Sequence, residues 1–501
     1  MRIAFIASEG APWSRSGGLG EVTGALSAAL ALPDGADAAL DVALALPLHR
    51  ETWKAAALLG ARIEPVGVRA EAWLGGARTT FNVFRVADAA RPVFLFDAPA
   101  LFDRDGIYHD QQYRSYLDNT ERFAAFSKAA VAALPELMGG PIDVLHAHDW
   151  PTGLVPAFLR MRRGDPAYAH TKTVFTIHNL AHQGVVDRSM MDTLGLPWEW
   201  YHHDGLEFHD RVSLLKGGLT MSDHVTTVSP TYADEIRDGA NGVGLDGVMR
   251  ALGPRLSGIL NGLDGDAWDP RSDVFLPAHY GTKRGRSIDL KGKATCRAKL
   301  LEELGLQAAD DRSPVIAFVG RLAWQKGVDL IAALGDELVA WGCRVVLLGS
   351  GEPALERQLM ALAARHPGRV AARVAFDLPL SHRVEAGADI FLMPSRFEPC
   401  GLNQMYSMAY GTVPVARATG GLRDTIVDVG DASVADGSAS GFLFDHADVG
   451  GLRWAVRRAV ELFIGDKAAW LKLQHAGMGR DWTWAAASRP YRALYRALHH
   501  G

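Results

Sequence analysis

Short apolar runs alternate with helix-length patterns along almost the whole chain, and the cycle occurs twice. In the first half the runs cover residues 3–8, 41–47, 93–97, 144–148, 173–178 and 224–228. Helical patterns such as 19–32 and 119–134 lie between them. Val- and Ile-rich runs that are apolar on both faces and spaced by helices predict a parallel sheet covered on both sides. Residues 315–320, 344–349, 370–376, 390–393, 413–416 and 442–444 repeat the pattern. The expected class is α/β, with two Rossmann-like doubly wound domains in tandem. A Gly-rich break near 253–262, closed by Asp269-Pro270, separates an expected N-terminal domain, 1–255, from an expected C-terminal domain, 256–480. A last helical pattern, 484–498, places Trp484, Tyr491, Tyr495 and Leu498 near one face.

The bulk numbers agree with a folded multidomain chain. Its 501 residues exceed one ordinary core, and its 48% hydrophobic content is normal for a globular protein. Lys plus Arg is 52 against 57 Asp plus Glu, a net charge of −5 with no basic block, so nucleic acid is not an expected partner. Cys296, Cys343 and Cys400 are widely spaced, which excludes a disulfide framework or a cysteine zinc site and fits a reducing cytoplasm. The apolar run after Arg2 stops at Ser8-Glu9, too short for a signal peptide, and no run approaches the ~18 residues of a membrane span. A cytoplasmic location without membrane association is expected.

The chemistry concentrates in loops that follow the expected strands. Residues 390–393 end at Pro394 and lead through Ser395-Arg396-Phe397-Glu398-Pro399-Cys400-Gly401-Leu402 into a helix-like run from 402 to 410. Between a strand's carboxyl end and a helix start, a carboxylate can hold hydroxyls and backbone N–H groups can hold oxygens. Arg321 and Lys326, in Gly320-Arg321-Leu322-Ala323-Trp324-Gln325-Lys326-Gly327, lie five apart across a similar junction. Such spacing can bring a bidentate grip and a point charge to one anion. Two Gly-Gly pairs open further helices: Arg15-Ser16-Gly17-Gly18-Leu19 after the first strand, and Thr419-Gly420-Gly421-Leu422 in the second half. Glycines let a backbone approach a phosphate closely. A dinucleotide fingerprint fails, because Gly18 and Gly20 are followed by Thr23 where a third glycine is needed.

These motifs resemble the bacterial glycogen synthase and starch synthase family. The resemblance rests on Arg-Phe-Glu-Pro-Cys-Gly-Leu at 396–402, Gly-Arg-Leu-x-x-Gln-Lys-Gly at 320–327, Gly-Gly-Leu at 17–19, His-Asn at 178–179 and Asn-Gly-Leu-Asp at 261–264. It implies the GT-B architecture of two domains facing a cleft, with residues 481–501 packing back on the first domain. It implies transfer of glucose from ADP-glucose to the non-reducing end of an α-1,4-glucan such as glycogen, with retention of configuration. Catalytic roles pass by resemblance to Glu398, His178, Arg321 and Lys326. Substrate-binding roles pass to Arg15, Gly17, Gly18, Asp149, Asn261, Phe376, Cys400, Gly401, Leu402, Thr419, Gly420 and Gly421. Arg15 stands where the family has Lys, which keeps the charge and changes the reach. Tyr406 stands eight residues after Glu398, where many wider relatives carry a second Glu.

No cofactor and no metal are expected, since cations neutralise the diphosphate in this family. His146, His148 and Asp149, with His202, His203 and His209, offer metal-ligand side chains but no recognised ligand spacing. A glucan phosphorylase would need a pyridoxal phosphate lysine, for which no pattern is present. A UDP-glucose-preferring synthase and a non-catalytic glucan-binding relative are the remaining alternatives.

Overall fold

A computed structural model of the chain describes residues 1–35, 37–112, 114–281, 288–310 and 312–500. The chain divides into two compact units, one of Met1–Gly262 with Trp484–Gly501 and one of Leu263–Thr483. No described helix is long and apolar enough to cross a membrane.

The first unit is built on strands β1 (Arg2–Ile6), β2 (Asp41–Pro47), β3 (Ile63–Leu74), β4 (Ala77–Val86), β5 (Val93–Asp97), β6 (Val144–His148) and β7 (Lys172–Ile177). They are followed by β8 (Val185–Asp187), β9 (Glu207–Phe208), β10 (Arg211–Ser213), β11 (His224–Thr227) and β12 (Leu256–Gly258). Nine of these form one sheet in the order β12-β11-β7-β6-β1-β2-β5-β4-β3. From β12 to β5 every pairing is parallel, whereas β4 and β3 add an antiparallel hairpin at the edge. β8, β9 and β10 form a separate small antiparallel sheet.

Alternation along β1 explains why the sheet is covered twice. Ala4 and Ile6 enter one apolar core with Ala43 and Ala45, while Ile3 and Phe5 enter another with Leu44 and Leu46. Successive strand side chains point to opposite faces, so a strand apolar at every position has to be buried on both. The C-terminal helix Trp484–His500 supplies Trp484, Tyr491 and Tyr495 to the second of these cores. The buried Arg492 of that helix donates to the carbonyls of Ala29, Leu30 and Ala38, each at 3.1 Å. Ala29 and Leu30 are in the last turn of the Gly18–Leu30 helix, where carbonyls run out of intrahelical donors.

The second unit has six parallel strands: β13 (Val315–Val319), β14 (Arg344–Gly349), β15 (Val370–Val374), β16 (Ile390–Met393), β17 (Val413–Arg417) and β18 (Phe442–Phe444). Their order is β15-β14-β13-β16-β17-β18. Ile316, Phe318, Val345 and Leu347 face one core, and Val315, Ala317, Val346 and Leu348 the other. Both sheets are therefore Rossmann-like. The helix expected at 402–410 spans Asn403–Ala409, with Leu402 and Tyr410 as its flanking residues.

Candidate active site

In an open parallel sheet, ligand chemistry gathers beyond the strand carboxyl ends, where the winding direction reverses. In the first unit that point lies between β1 and β6, because β1 pairs with β2 on one side and β6 on the other. The loop after β1 turns on Glu9, which is only 2% exposed. Its carboxylate accepts from the Ser16 backbone N–H, from Ser16 Oγ at 3.0 Å and from Tyr108 OH at 2.8 Å. Burial pushes the Glu9 carboxyl up, against the pull of these donors. Glu9 thereby folds residues 14–17 back over the strand end. Its signal in the sequence was faint: a lone carboxylate directly after the first strand.

Gly17 and Gly18 follow. Gly17 has an extended backbone with φ −171°, and a Cβ built on Gly17 or Gly18 meets nothing within 4 Å. Neither intramolecular packing nor a left-handed backbone calls for glycine at these positions, so both present bare backbone to open space. Arg15 is exposed and lies 3.4 Å from Glu21.

Asp149 directly follows β6. It is buried, and its φ of 54° is unusual for a residue with a side chain. Its Oδ1 accepts from the backbone N–H of His178 at 2.8 Å and of Asn179 at 3.4 Å, tying β6 to the loop after β7. Burial raises its carboxyl to about 7. His178 is half-buried, and burial pushes its imidazole down to about 3. Nε2 of His178 lies 3.1 Å from Nδ1 of His148. Alongside, a cavity of about 470 Å³ is lined by Trp150, His182, Gln183, Gly184, Phe208 and Val243. Gln183 Oε1 is buried without a partner among the described residues, as is Oδ1 of Asn261 just after β12.

His146 is spoken for: its Nδ1 lies 2.7 Å from Tyr495 OH and its Nε2 2.6 Å from Thr176 Oγ1. Neither nitrogen is left for a metal. Among the described residues, the one group of metal-ligating side chains close enough to share an ion is His202, His203 and Asp204, all exposed.

In the second unit the reversal lies between β13 and β16, paired at Ile316–Ile390 and Ala317–Phe391. The loops leaving these strands interlock. Gln325 O accepts from the Arg396 N–H at 2.7 Å, and Gln325 Nε2 donates to Phe397 O at 3.0 Å. Arg396 donates to both carboxylate oxygens of Asp329 at 2.8 Å and lies over the Trp324 ring. Gly327, at φ 68°, fits where a Cβ would stand 2.1 Å from Pro394 O. This lacing brings Lys326 Nζ to 2.5 Å from Glu398 Oε2, with Ser395 Oγ donating to the same oxygen at 3.0 Å. Arg321 is exposed beside them and donates to Gln325 Oε1 at 3.0 Å.

The second Gly-Gly pair packs under this loop. A Cβ on Gly420 would lie 2.0 Å from Glu398 O, and one on Gly421 1.9 Å from Cys400 O. The N–H of Gly421 donates to Glu398 O and Pro399 O, each at 3.2 Å. Cys400 and Thr419 are buried, while Gly401 and Leu402 are half-buried. Phe376 lies beyond the end of β15 and is 85% exposed, so it is not part of a core. Tyr406 is buried and stacked on Trp268 with ring centroids 3.8 Å apart, which accounts for an aromatic at that position.

Comparison with known proteins bears on the family and the fold. Residues 2–251 match the starch synthase catalytic domain, and residues 305–464 match glycosyl transferases group 1. A glycogen synthase of Anaeromyxobacter sp. (strain Fw109-5) is 46% identical over 500 residues, covering 99% of each chain. The catalytic domain of Starch Synthase IV from Arabidopsis thaliana, solved bound to ADP and acarbose, superposes with a TM-score of 0.87 at 32% identity, covering 100% of this chain and 99% of that one. Sucrose-phosphate synthase from Thermosynechococcus elongatus, at 18% identity and a TM-score of 0.58 over the whole of both chains, shares the fold. This chain belongs to the glycogen synthase and starch synthase family of retaining GT-B glycosyltransferases.

Proposed function

We propose that the chain transfers glucose from ADP-glucose to the non-reducing end of an α-1,4-glucan, with the second unit's Lys326 and Glu398 at the reacting centre. The observation that carries this assignment is the 2.5 Å contact of Lys326 Nζ with Glu398 at a strand-reversal point, with Arg321 exposed beside it. Departure of a nucleoside diphosphate builds negative charge on the leaving oxygens and positive charge at the anomeric carbon. Arg321 and Lys326 answer the first charge and the Glu398 carboxylate the second, in positions fixed before the reaction starts. Backbone of Cys400, Gly401 and Leu402 orients the glucose, Thr419, Gly420 and Gly421 line the diphosphate, and Phe376 offers its exposed ring to the base.

In the first unit, the bare amides at Gly17 and Gly18 and the Arg15 guanidinium suit phosphate oxygens. The neutral imidazole of His178 can donate to a sugar hydroxyl without repelling a cationic anomeric carbon. Asp149 holds the His178 loop, and Asn261 presents an unfilled acceptor. The cavity beside Trp150 has the aromatic wall and polar groups that suit the acceptor glucan. None of these roles requires a metal or an organic cofactor. The widely spaced cysteines fit a cytoplasmic reaction.

The test is a donor comparison. With glycogen as acceptor, label from ADP-[14C]glucose should enter polymer at least ten-fold faster than label from UDP-[14C]glucose. Equal rates, or a preference for UDP-glucose, would overturn the donor assignment, and no incorporation from either would overturn the activity.

A further inference from the structure

His148, the last residue of β6, is wholly buried. Its ring stacks on His146 at 4.2 Å between centroids and on Phe5 at 5.3 Å. Its backbone is pinned: the N–H donates to Thr152 Oγ1 at 2.7 Å, and that hydroxyl donates back to His148 O at 2.8 Å. Among the described residues the ring makes one polar contact, between Nδ1 and His178 Nε2 at 3.1 Å. Nε2 of His148 is buried and has no partner among the described residues.

This geometry decides which nitrogen carries the proton. Burial keeps both rings neutral, so the contact between them holds one proton. If His178 Nε2 donated it, His148 would carry its own proton on Nε2, a buried N–H with no acceptor. Stranding a donor in the interior costs its full desolvation, and orphaned N–H groups are rarer than under-used acceptors. If His148 Nδ1 donates, only a lone pair stays unfilled. His178 then carries its proton on Nδ1, which no described residue engages. The hydrogen bond at one imidazole nitrogen sets the state of the other.

We propose that His148 is a positioning residue for His178: its Nδ1–H donates to His178 Nε2 and so locks His178 as the Nδ1–H tautomer, a donor aimed at a hydroxyl of the bound sugar. The proposal rests on the reading that His178 faces the transferred glucose. It accounts for a wholly buried histidine whose second nitrogen has no partner among the described residues.

Three measurements test it. In wild-type protein labelled with 15N-histidine, two-bond 1H–15N correlations should show His178 as the Nδ1–H tautomer, with its signals assigned by their loss in His178→Gln. A His178 signal with the proton on Nε2 overturns the proposal whatever the variants do. His148→Leu should lower kcat by about ten-fold or more with its melting temperature held, since leucine is close in volume and packs against Phe5 and the face of His146. His148→Asn places an amide N–H near the position of Nδ1–H and should recover most of that loss. A His148→Leu enzyme with kcat within two-fold of wild type, or an Asn variant as impaired as the Leu variant, would also overturn it. His178→Ala separates the two readings. If it leaves kcat unchanged, the role of His178 itself falls, whereas if it is impaired and His148→Leu is not, only the positioning role falls.

Discussion

The Lys326 ammonium and the Glu398 carboxylate lie 2.5 Å apart, although 72 positions separate them in the chain. They meet because β13 and β16 are neighbours, so the loops leaving these strands emerge side by side. A cation and an anion held against each other at a strand-reversal point suit a reaction that separates charge. On the proposed assignment, a diphosphate reaching Lys326 would share the ammonium with Glu398, coupling arrival of the leaving group to the carboxylate's position.

The diphosphate grip is tested by Lys326→Ala and Arg321→Ala. Each should lower turnover by roughly 10²–10³-fold, about the loss of one contact to developing charge. The melting temperature should hold in Arg321→Ala, because Arg321 is exposed, and fall in Lys326→Ala, which leaves the buried Glu398 carboxylate with Ser395 in place of its counter-ion. Near-normal turnover at saturating ADP-glucose in either variant would remove that residue from the mechanism.

The two glycine pairs should respond differently. Gly17→Ala adds a methyl group to open space on an extended backbone, so thermal unfolding should be unchanged while the KM for donor rises about ten-fold, as the methyl obstructs a phosphate. Gly420→Ala forces a Cβ to within 2.0 Å of Glu398 O at φ 43°. It should destabilise the second unit by on the order of 2 kcal/mol or more. Calorimetry and donor saturation curves on both variants read the contrast.

Stability against pH should separate Asp149 from His178. Asp149 is raised to about 7 by burial, so the folded state keeps a proton that the unfolded chain releases near 4. Its contribution to stability falls as pH rises from 4 to 7. His178 is depressed to about 3, so the unfolded chain holds the extra proton below 6.5, and its contribution rises as pH climbs from 3 to 6.5. Relative to wild type, Asp149→Asn should therefore gain stability between pH 4 and 6.5, and His178→Gln should lose it. Parallel denaturant curves at pH 4.5 and 6.5 check both signs.

Metal removal should leave the reaction running. Both nitrogens of His146 are committed to Tyr495 and Thr176, and Asp149 is committed to backbone N–H groups. Glucosyl transfer should persist after exhaustive dialysis against EDTA. Activity lost on chelation and restored by one divalent ion would contradict this.

The central strands were legible in the sequence because they are buried on both faces and leave uninterrupted apolar runs. β3 and β4 were not, since one face of this edge hairpin is wet and residues such as Glu71, Arg78 and Arg85 break the apolar signal. Loops rich in Gly, Arg, Lys and Glu stood out because such residues seldom crowd the carboxyl end of a buried strand without a ligand to hold. What they touch was not legible. The Lys326–Glu398 contact depends on which strands are neighbours, and strand order is not written in periodicity. Glu9 was missed because a single carboxylate after a strand reads as solvated until its burial and the Tyr108 contact are known. His148 read as an ordinary core histidine, and only the 3.1 Å approach to His178 and the idle Nε2 distinguish it.

The most direct test is Glu398→Gln, measured for both turnover and melting temperature. The substitution keeps volume and removes the charge. If the carboxylate stabilises positive charge at the anomeric carbon, transfer from ADP-[14C]glucose to glycogen should fall roughly 10²-fold or more, on the order of 3 kcal/mol, with little change in donor affinity and a melting temperature close to wild type. Unchanged turnover with a lowered melting temperature would contradict it and leave Glu398 as a structural partner of Lys326.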